Sequence, residues 1–407
     1  MVSDVADECP QLERAVFFWD DDWNELAAGN PGASDADFDA RVASLDTNDP
    51  INIQYTSGTT GFPKGATLTH RGILNNARFV TMLQNFTHED RLCIPVPFYH
   101  CFGMVMGNLG CTSTGATMVI PGDAFDPTAV LTAVQQERCT ALYGVPTMFI
   151  AELGLENFDD FDLSSLRTGV MAGSLCPVDT MKACVERMHM QDVTICYGMT
   201  ETSPVSTQTL IGDTLEHQTE TVGRAHPHVE IRIADPVSGD TVARGVPGEF
   251  CTRGYSVMQG YWNEPEKTAA SIDADGWMHT GDIGVMADDG YVNIVGRIKD
   301  MVIRGGENIY PREVEEFLAG HPDVADVQVI GVPDEKYGEE LMACIVPAPG
   351  TAPDVDSIRT FCEGRIAHFK IPRYVRLVDE FPMTVTGKVR KVEMREQAVA
   401  DLGLAPT

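Results

Sequence analysis

The sequence predicts an α/β protein, in which a large N-terminal domain of parallel sheets, helices and a small β subdomain is followed by a small α+β C-terminal domain. At 407 residues the chain has room for two or more domains. Short β-rich runs alternate with helix-like segments up to Gly223, a pattern that is typical of parallel sheets covered by helices. After Gly223 the runs lie between Gly-Asp and Asp-Gly turns, which indicates a smaller antiparallel sheet or barrel.

The individual elements follow from the same patterns. Runs rich in β-branched and aromatic residues predict strands of the parallel part at residues 15–19, 51–55, 116–120, 141–144, 168–171 and 194–197. The antiparallel subdomain is predicted to contain strands at residues 229–233, 248–252 and 291–295. In the C-terminal domain, Pro311 is predicted to open a helix through residues 312–318, and strands are predicted at 324–332 and 341–346.

Composition limits the partners that the protein can have. The formal net charge of −31 disfavours nucleic acid and anionic membranes. Residues 359–395 are locally basic, with nine Lys and Arg against four Asp and Glu, which suits small polyanions, although a solvated helical face would look the same.

Residues 92–122 carry no charged side chain but are broken by Pro and Gly, so we expect no integral membrane segment. The 11 cysteines show no zinc-site spacing and the acidic N-terminus is unlike a secretion signal, which together favour a cytoplasmic protein with reduced thiols.

The run from Tyr55 to Gly65 has the composition of a phosphate-binding loop. It reads Tyr-Thr-Ser-Gly-Thr-Thr-Gly-Phe-Pro-Lys-Gly and follows an apolar segment. Its glycines let backbone N–H groups approach an anion, its hydroxyls add donors, and Lys64 adds a positive charge. It is not a Walker loop, because Pro63 precedes the lysine and a glycine follows it. A flexible Ser/Gly surface turn is the alternative.

The loop resembles the signature loop of the adenylate-forming (AMP-binding) superfamily, which includes acyl-CoA synthetases, luciferases and the adenylation domains of peptide synthetases. Four further segments resemble family motifs in the same order, at residues 197–202, 276–282, 296–311 and 382–388. Residues 49–55, 96–103 and 142–149 look most like the medium-chain fatty acyl-CoA synthetase branch. The resemblance implies a ligase that uses ATP and Mg²⁺ to convert a carboxylic acid to acyl-AMP and pyrophosphate. Coenzyme A would then take the acyl group and release AMP, so the expected partners are these small molecules.

The resemblance also implies which residues form the nucleotide site. Those that would bind the ATP phosphates are Thr56, Ser57, Gly58, Thr59, Thr60, Gly61 and Lys64. Adenine would lie against Gly173, Ser174, Tyr197 and Gly198, and the ribose against Asp282 and Arg297. Thr200 would donate to phosphate and Glu201 would bind Mg²⁺, since this ion accepts one or two carboxylates beside phosphate oxygens.

Catalytic roles are expected for His100 and Lys388, together with Thr200 and Glu201. An isolated histidine is more often a satisfied core residue, but the matching family segment places His100 beside the carboxylate substrate. Lys388 lies near the end of the chain, so a separate mobile domain must bring it to the nucleotide.

The implied boundaries are an AMP-binding domain at residues 1–296, a hinge at 297–300 centred on Lys299, and a mobile C-terminal domain at 301–407. Rotation at the hinge would withdraw the catalytic lysine and bring Gly305, Gly306 and Glu307 to the acyl-adenylate, where they would bind coenzyme A. The two glycines could equally form an ordinary turn.

Two alternatives to an acyl-CoA synthetase stay open. A ligase that loads the acyl group onto a carrier protein shares the adenylation motifs. The second alternative is a non-catalytic fragment. Only 54 residues precede Tyr55, whereas family members carry a large region before this loop. We therefore expect the N-terminal domain to lack its first part, and the 407-residue chain alone to be prone to aggregation and nearly inactive. Activity is expected to appear when the absent N-terminal half is restored.

Overall fold

The computed structural model describes residues 5–29, 34–56, 63–174, 176–383 and 389–404. The chain divides into two compact units, Met1–Asp49 and Pro50–Thr407. The first unit contains a 3₁₀ turn at Ala6–Glu8 and two helices, α1 (Asp21–Ala27) and α2 (Asp35–Ala43). Ser34 caps α2, because its hydroxyl accepts from the backbone N–H of Asp37 while the Asp37 carboxylate accepts from the backbone N–H of Ser34.

The strand predicted at residues 15–19 is wrong. Residues 12–17 have no regular secondary structure, and Phe18 and Trp19 lie in a turn with 76% and 80% of their surface exposed. A strand needs a neighbour for its backbone N–H and C=O groups. The described part of the first unit contains no strand that could provide one, so the apolar run remains irregular.

The second unit contains nineteen strands among its described residues. The first nine are β1 (Pro50–Thr56), β2 (Lys64–Thr69), β3 (Arg91–Cys93), β4 (Thr117–Val119), β5 (Ala141–Gly144), β6 (Thr168–Ala172), β7 (Asp192–Gly198), β8 (Val205–Gln208) and β9 (Arg224–Ala225). The next five are β10 (Val229–Ala234), β11 (Gly248–Gly254), β12 (Gly260–Tyr261), β13 (Met278–Met286) and β14 (Val292–Arg297). The last five are β15 (Val302–Arg304), β16 (Glu307–Ile309), β17 (Val324–Asp334), β18 (Gly338–Pro347) and β19 (Tyr374–Leu377).

Helices connect these strands. They are α3 (His70–Leu83), α4 (Gly110–Thr114), α5 (Pro127–Glu137), α6 (Pro146–Leu153), α7 (Val178–Arg187), α8 (Leu215–Glu220), α9 (Pro265–Ser271), α10 (Pro311–Leu318), α11 (Val355–Cys362) and α12 (Lys391–Leu402). A π-helix at Phe102–Leu109 runs directly into α4. Among the described residues, no helix is both long enough and apolar enough to cross a membrane.

The parallel sheet predicted for the N-terminal domain is confirmed. Its strand order is β4-β3-β5-β6-β7-β8-β9, and the first five strands are parallel to one another. Alternate residues of β5 and β6 enter different apolar clusters: Leu142 and Met171 belong to one, Tyr143 and Val170 to the other. Both faces of the sheet are therefore buried, which explains why its strands read as continuous apolar runs.

The strand predicted at residues 51–55 exists as β1, but it does not belong to the parallel sheet. It pairs antiparallel with β2, with Tyr55 opposite Gly65, and β2 pairs in turn with β12. The reason is the connection: residues 57–63 join the two strands directly, and a parallel pair needs a crossover of about a dozen residues or more.

The other two predicted regions are also confirmed. Strands β10, β11, β13 and β14 form an antiparallel sheet in that order. The C-terminal part is α+β, with the sheet order β16-β15-β18-β17 and β19 parallel to β18. Val327 and Val329 of β17 face one apolar cluster, while Ile330 and Val332 face another that includes Met394 of α12. The boundaries at residues 296 and 300 stay predictions.

Candidate active site

The predicted phosphate loop is described only at its two ends. Ser57, Gly58, Thr59, Thr60 and Gly61 lie outside the described residues. Thr56 and Lys64 are opposite one another in the β1–β2 hairpin. The Lys64 ammonium nitrogen lies 4.7 Å from the centroid of the Tyr261 ring, a cation–π contact.

Glu201 and Thr200 follow directly after β7 in a 3₁₀ turn, Thr200–Thr202. Glu201 is only 6% exposed, and its Oε1 accepts a hydrogen bond of 2.7 Å from the Tyr261 hydroxyl. The turn needs glycine at position 198, because a Cβ there would lie 1.9 Å from the carbonyl oxygen of Pro204. The end of β7 therefore presents a buried carboxylate that a neighbouring phenol holds in place.

His100 precedes the π-helix, and its Nδ1 accepts a hydrogen bond of 3.2 Å from the Phe102 backbone N–H. Next to it, burial and then the Glu201 carboxylate raise the pKa of the Cys101 thiol to about 12. The Cys101 thiol is therefore near enough to Glu201 to be influenced by its charge. π-Helical turns occur frequently at functional sites, and nothing in the sequence predicted this one.

Asp282, the predicted ribose ligand, is 6% exposed and lies on β13 opposite Arg297 of β14. Its Oδ2 accepts a hydrogen bond from the Tyr197 hydroxyl at 2.7 Å, and its Oδ1 forms an ion pair with Nε of Arg297 at 2.8 Å. Burial and the Asp282 charge raise the pKa of Tyr197 well above its usual value, so the phenol remains a donor. A carboxylate has about four lone-pair sites, so these two contacts leave acceptor capacity for two ribose hydroxyls.

The residues predicted to contact adenine lie at one edge of the parallel sheet. Gly173 and Ser174 follow β6 and are exposed, while Tyr197 and Gly198 end the neighbouring strand β7. The Tyr197 ring packs edge-on against Phe250, with 4.9 Å between centroids. The carboxyl ends of adjacent parallel strands form the usual ligand crevice of such sheets, so these residues occupy the expected place for a nucleotide.

Sequence reasoning missed Glu249, which supports the part of β13 that precedes Asp282. Its Oε2 contacts Nδ1 of His279 at 2.7 Å and its Oε1 accepts from the Gly281 backbone N–H at 3.0 Å. With Cys251 these residues form a group whose ligand atoms lie within 4.8 Å of one another. Because the Glu249 carboxylate already contacts both His279 and Gly281 of β13, we assign the group to holding the neighbouring Asp282 in place. The signal was an acidic residue next to Phe250 and Cys251 in a predicted strand.

The structure brings the C-terminal site residues together only in part. Lys388 lies outside the described residues. Lys299 is exposed, in the 3₁₀ turn Ile298–Asp300. Gly305 and Gly306 have φ values of +59° and +90° and form the two-residue hairpin turn between β15 and β16. Their role in binding coenzyme A stays a prediction. Glu307 follows as the first residue of β16, and its role in binding coenzyme A stays a prediction.

Comparison with known proteins shows which family the chain belongs to. The family model of AMP-binding enzymes matches residues 3–262, and that of the AMP-binding enzyme C-terminal domain matches residues 313–388. The chain is 53% identical over 390 residues to the putative acyl-CoA synthetase YngI of Bacillus subtilis, which covers 96% of this chain and 70% of YngI. It is 46% identical over 364 residues to the mitochondrial medium-chain acyl-CoA ligase ACSF2 of Homo sapiens, which covers 88% of this chain.

Solved structures show the same fold. The ATP-bound structure of MatB from Rhodopseudomonas palustris matches with a TM-score of 0.81 and 34% identity, over 88% of this chain and 70% of that one. The chain spans 59% of the length of human ACSF2. The family model of AMP-binding enzymes covers more than half of the 407 residues, and the identity to YngI is 53%. The chain therefore belongs to the family of AMP-binding enzymes.

Proposed function

We propose that this chain is an acid–thiol ligase that activates a carboxylic acid, by preference a medium-chain fatty acid, and transfers it to coenzyme A. One observation carries the proposal. The end of β7 brings two buried carboxylates to one edge of the parallel sheet, Glu201 directly and Asp282 through its hydrogen bond to Tyr197. One carboxylate suits a metal–phosphate group and the other suits a ribose, which is the combination that a bound nucleotide requires.

In the first half-reaction, a carboxylate oxygen of the acid attacks the α-phosphorus of ATP, and the bond to pyrophosphate breaks. Both reactants are anions, so the protein's contribution is to offset charge and align the reacting atoms. Lys64 and the backbone N–H groups of the loop at 57–65 would hold the outer phosphates. Thr200 would donate a hydrogen bond to phosphate, and Lys388 would offset the charge that develops between acid and α-phosphate.

Glu201 is the residue that would hold a magnesium ion. Its hard carboxylate oxygens fit this ion, which also takes phosphate oxygens and water as ligands. Only one of the carboxylate's lone-pair sites is used by Tyr261, so coordination does not require the hydrogen bond to break. When bound, the ion offsets the negative charge of the phosphates.

In the second half-reaction, the thiol of coenzyme A attacks the acyl carbonyl carbon, and AMP leaves with one oxygen of the original carboxylate. Rotation about Lys299 would remove Lys388 and admit the hairpin that contains Gly305 and Gly306. The exposed position of Lys299 between two sheets supports this role. A carrier-protein thiol is the rival acceptor.

The preference for an apolar acid rests on residues 92–122, which contain no Asp, Glu, Lys or Arg. His100 lies within this stretch, at the start of the π-helix, where it would contact the carboxylate of the acid. An α-amino acid would need a carboxylate partner for its ammonium group, and this stretch offers none. The name of the relative ACSF2, a medium-chain acyl-CoA ligase, supports the same choice. We place the reaction in the cytoplasm, a compartment that fits the eleven free cysteines, ten of which are buried.

The test is a competition assay of acid-dependent pyrophosphate exchange into ATP, followed by product analysis with coenzyme A or a carrier protein as acceptor. We expect octanoate to outcompete acetate, benzoate and leucine, and coenzyme A to be the better acceptor. Preference for leucine would overturn the substrate class. Acylation of the carrier protein in preference to coenzyme A would favour the rival ligase.

A further inference from the structure

Tyr261 contacts two of the residues assigned to the nucleotide site. It belongs to β12, whose pairing with β2 sets Tyr261 opposite Ala66. Its hydroxyl donates to Glu201 Oε1 at 2.7 Å, and its ring centroid lies 4.7 Å from the ammonium nitrogen of Lys64. One side chain thus links the proposed metal ligand to the proposed phosphate ligand.

We propose that Tyr261 is a positioning residue, which holds Glu201 for the metal ion and Lys64 for the phosphates and keeps these opposite charges apart. The inference rests on the proposed function, because it concerns the same nucleotide site. It adds a residue that none of the sequence motifs above contains.

The arrangement of charges supports this role. The two charged groups are both described, and they form no direct ion pair. A direct pair would engage the ammonium group and the carboxylate that phosphate and metal must bind. A phenol can hold both at once, since its ring face attracts a cation and its hydroxyl donates to an anion.

The backbone around Tyr261 fixes its position. The N–H of Trp262 donates to the carbonyl oxygen of Gly65 at 2.7 Å, and the N–H of Met258 donates to the carbonyl oxygen of Glu201 at 2.8 Å. Tyr261 itself is 7% exposed. The segment is therefore attached at one end to the phosphate-loop hairpin and at the other to the metal-ligand turn.

The chain offers a matched control in the pair Tyr291 and Asp213. The Tyr291 hydroxyl likewise donates to a carboxylate, Asp213, and Tyr291 is 4% exposed. This pair lies outside the residues assigned to nucleotide binding. If the hydroxyl of Tyr261 served packing alone, Tyr261→Phe and Tyr291→Phe would have the same consequences.

The experiment measures binding, so that it does not depend on turnover. Electron paramagnetic resonance reports the affinity of the full chain for Mn²⁺ in the presence of α,β-methylene-ATP. We expect Tyr261→Phe to weaken Mn²⁺ binding by about tenfold, because it removes a hydrogen bond to a charged ligand. Tyr261→Leu also removes the ring beneath Lys64, so it should in addition weaken binding of the analogue without metal. Tyr291→Phe should change neither affinity.

Several results would overturn the inference. The inference is rejected if Tyr261→Phe binds Mn²⁺ as tightly as the wild type does. It is also rejected if Tyr261→Phe and Tyr291→Phe weaken Mn²⁺ binding equally. If the wild type binds Mn²⁺ and the analogue as expected but shows no acid-dependent pyrophosphate exchange, the proposed reaction fails while the role of Tyr261 in nucleotide binding stands. If the wild type shows no metal-dependent nucleotide binding, both proposals are rejected.

Discussion

Replacing Asp282 with asparagine tests the ribose site most sharply, because the structure leaves no good place for an amide. One oxygen of the Asp282 carboxylate accepts a hydrogen bond from the Tyr197 hydroxyl, and the other forms an ion pair with the Arg297 guanidinium. Asparagine keeps the shape of the side chain, but its NH₂ group must face one of these two donors. The variant therefore loses both the negative charge and one acceptor oxygen.

The expected loss of affinity for ATP follows from the number of ribose hydroxyls that would donate to the Asp282 carboxylate. A hydrogen bond to a charged group contributes about 1.5–3 kcal/mol and one between neutral groups about 0.5–1.5 kcal/mol. Replacing a charged acceptor by a neutral one therefore costs about 1–1.5 kcal/mol for each ribose hydroxyl. Over two hydroxyls, ATP should bind about 30- to 150-fold more weakly to the variant. The ion pair with Arg297 adds little to this sum, because half of the arginine side chain is exposed.

Isothermal titration calorimetry with ATP and with 2′,3′-dideoxy-ATP separates this effect from general damage. Asp282→Asn should lose affinity for ATP only, because the dideoxy analogue has no ribose hydroxyls that could donate to residue 282. Asp213→Asn is the control, since Asp213 also accepts from a tyrosine hydroxyl but is not assigned to the site. An equal loss of affinity for both nucleotides in Asp282→Asn would refute the assignment.

Three further predictions concern the catalytic lysine, the hinge and a buried acid. Lys388→Ala should abolish pyrophosphate exchange yet leave thioester formation from supplied acyl-AMP largely intact, and equal loss of both steps in rapid-quench assays would reject its role. Lys299→Pro fixes φ and should slow the two half-reactions by very different factors, whereas similar factors would indicate misfolding. Glu152 is 1% exposed, its Oε2 has no hydrogen-bond partner within the described ranges of the chain, and burial raises its pKa well above the usual 4.5. The folded state therefore keeps a proton that the unfolded chain releases as pH rises, so stability is present below about pH 4.5 and is lost towards the raised pKa. Glu152→Gln should match the wild-type melting temperature at pH 4.5 and exceed it at pH 8, and an equal difference at both pH values would contradict this account.

The parallel sheet could be predicted because its strands are buried on both faces. Thr168–Ala172 is buried along its whole length, so burial left a continuous apolar signal in the sequence. Pairing was harder to predict than strand location. Residues 51–55 were expected in the parallel sheet but form a hairpin, and residues 15–19 form no strand at all. Composition reports whether a segment suits a strand, whereas its partner depends on the rest of the fold.

The same distinction applies to the site. Glu201 and Asp282 could be proposed from local motifs, because each lies in a short run of characteristic residues. The contact between Tyr261 and Glu201 could not, since it exists only because β12 pairs with β2. Glu249 was missed for a related reason: its hydrogen bonds reach across to the next strand of the antiparallel sheet, at Gly281.

The most direct test of the proposed chemistry follows the oxygen atoms. The full chain is incubated with octanoate labelled with ¹⁸O in its carboxylate, unlabelled ATP, Mg²⁺ and coenzyme A, and the products are analysed by mass spectrometry. If acyl-AMP is formed and then attacked by the thiol, one ¹⁸O atom passes from octanoate to AMP for each octanoyl-CoA formed, and pyrophosphate carries none. Label in inorganic phosphate together with ADP as product, or octanoyl-CoA formed with unlabelled AMP, would contradict activation through an acyl-adenylate.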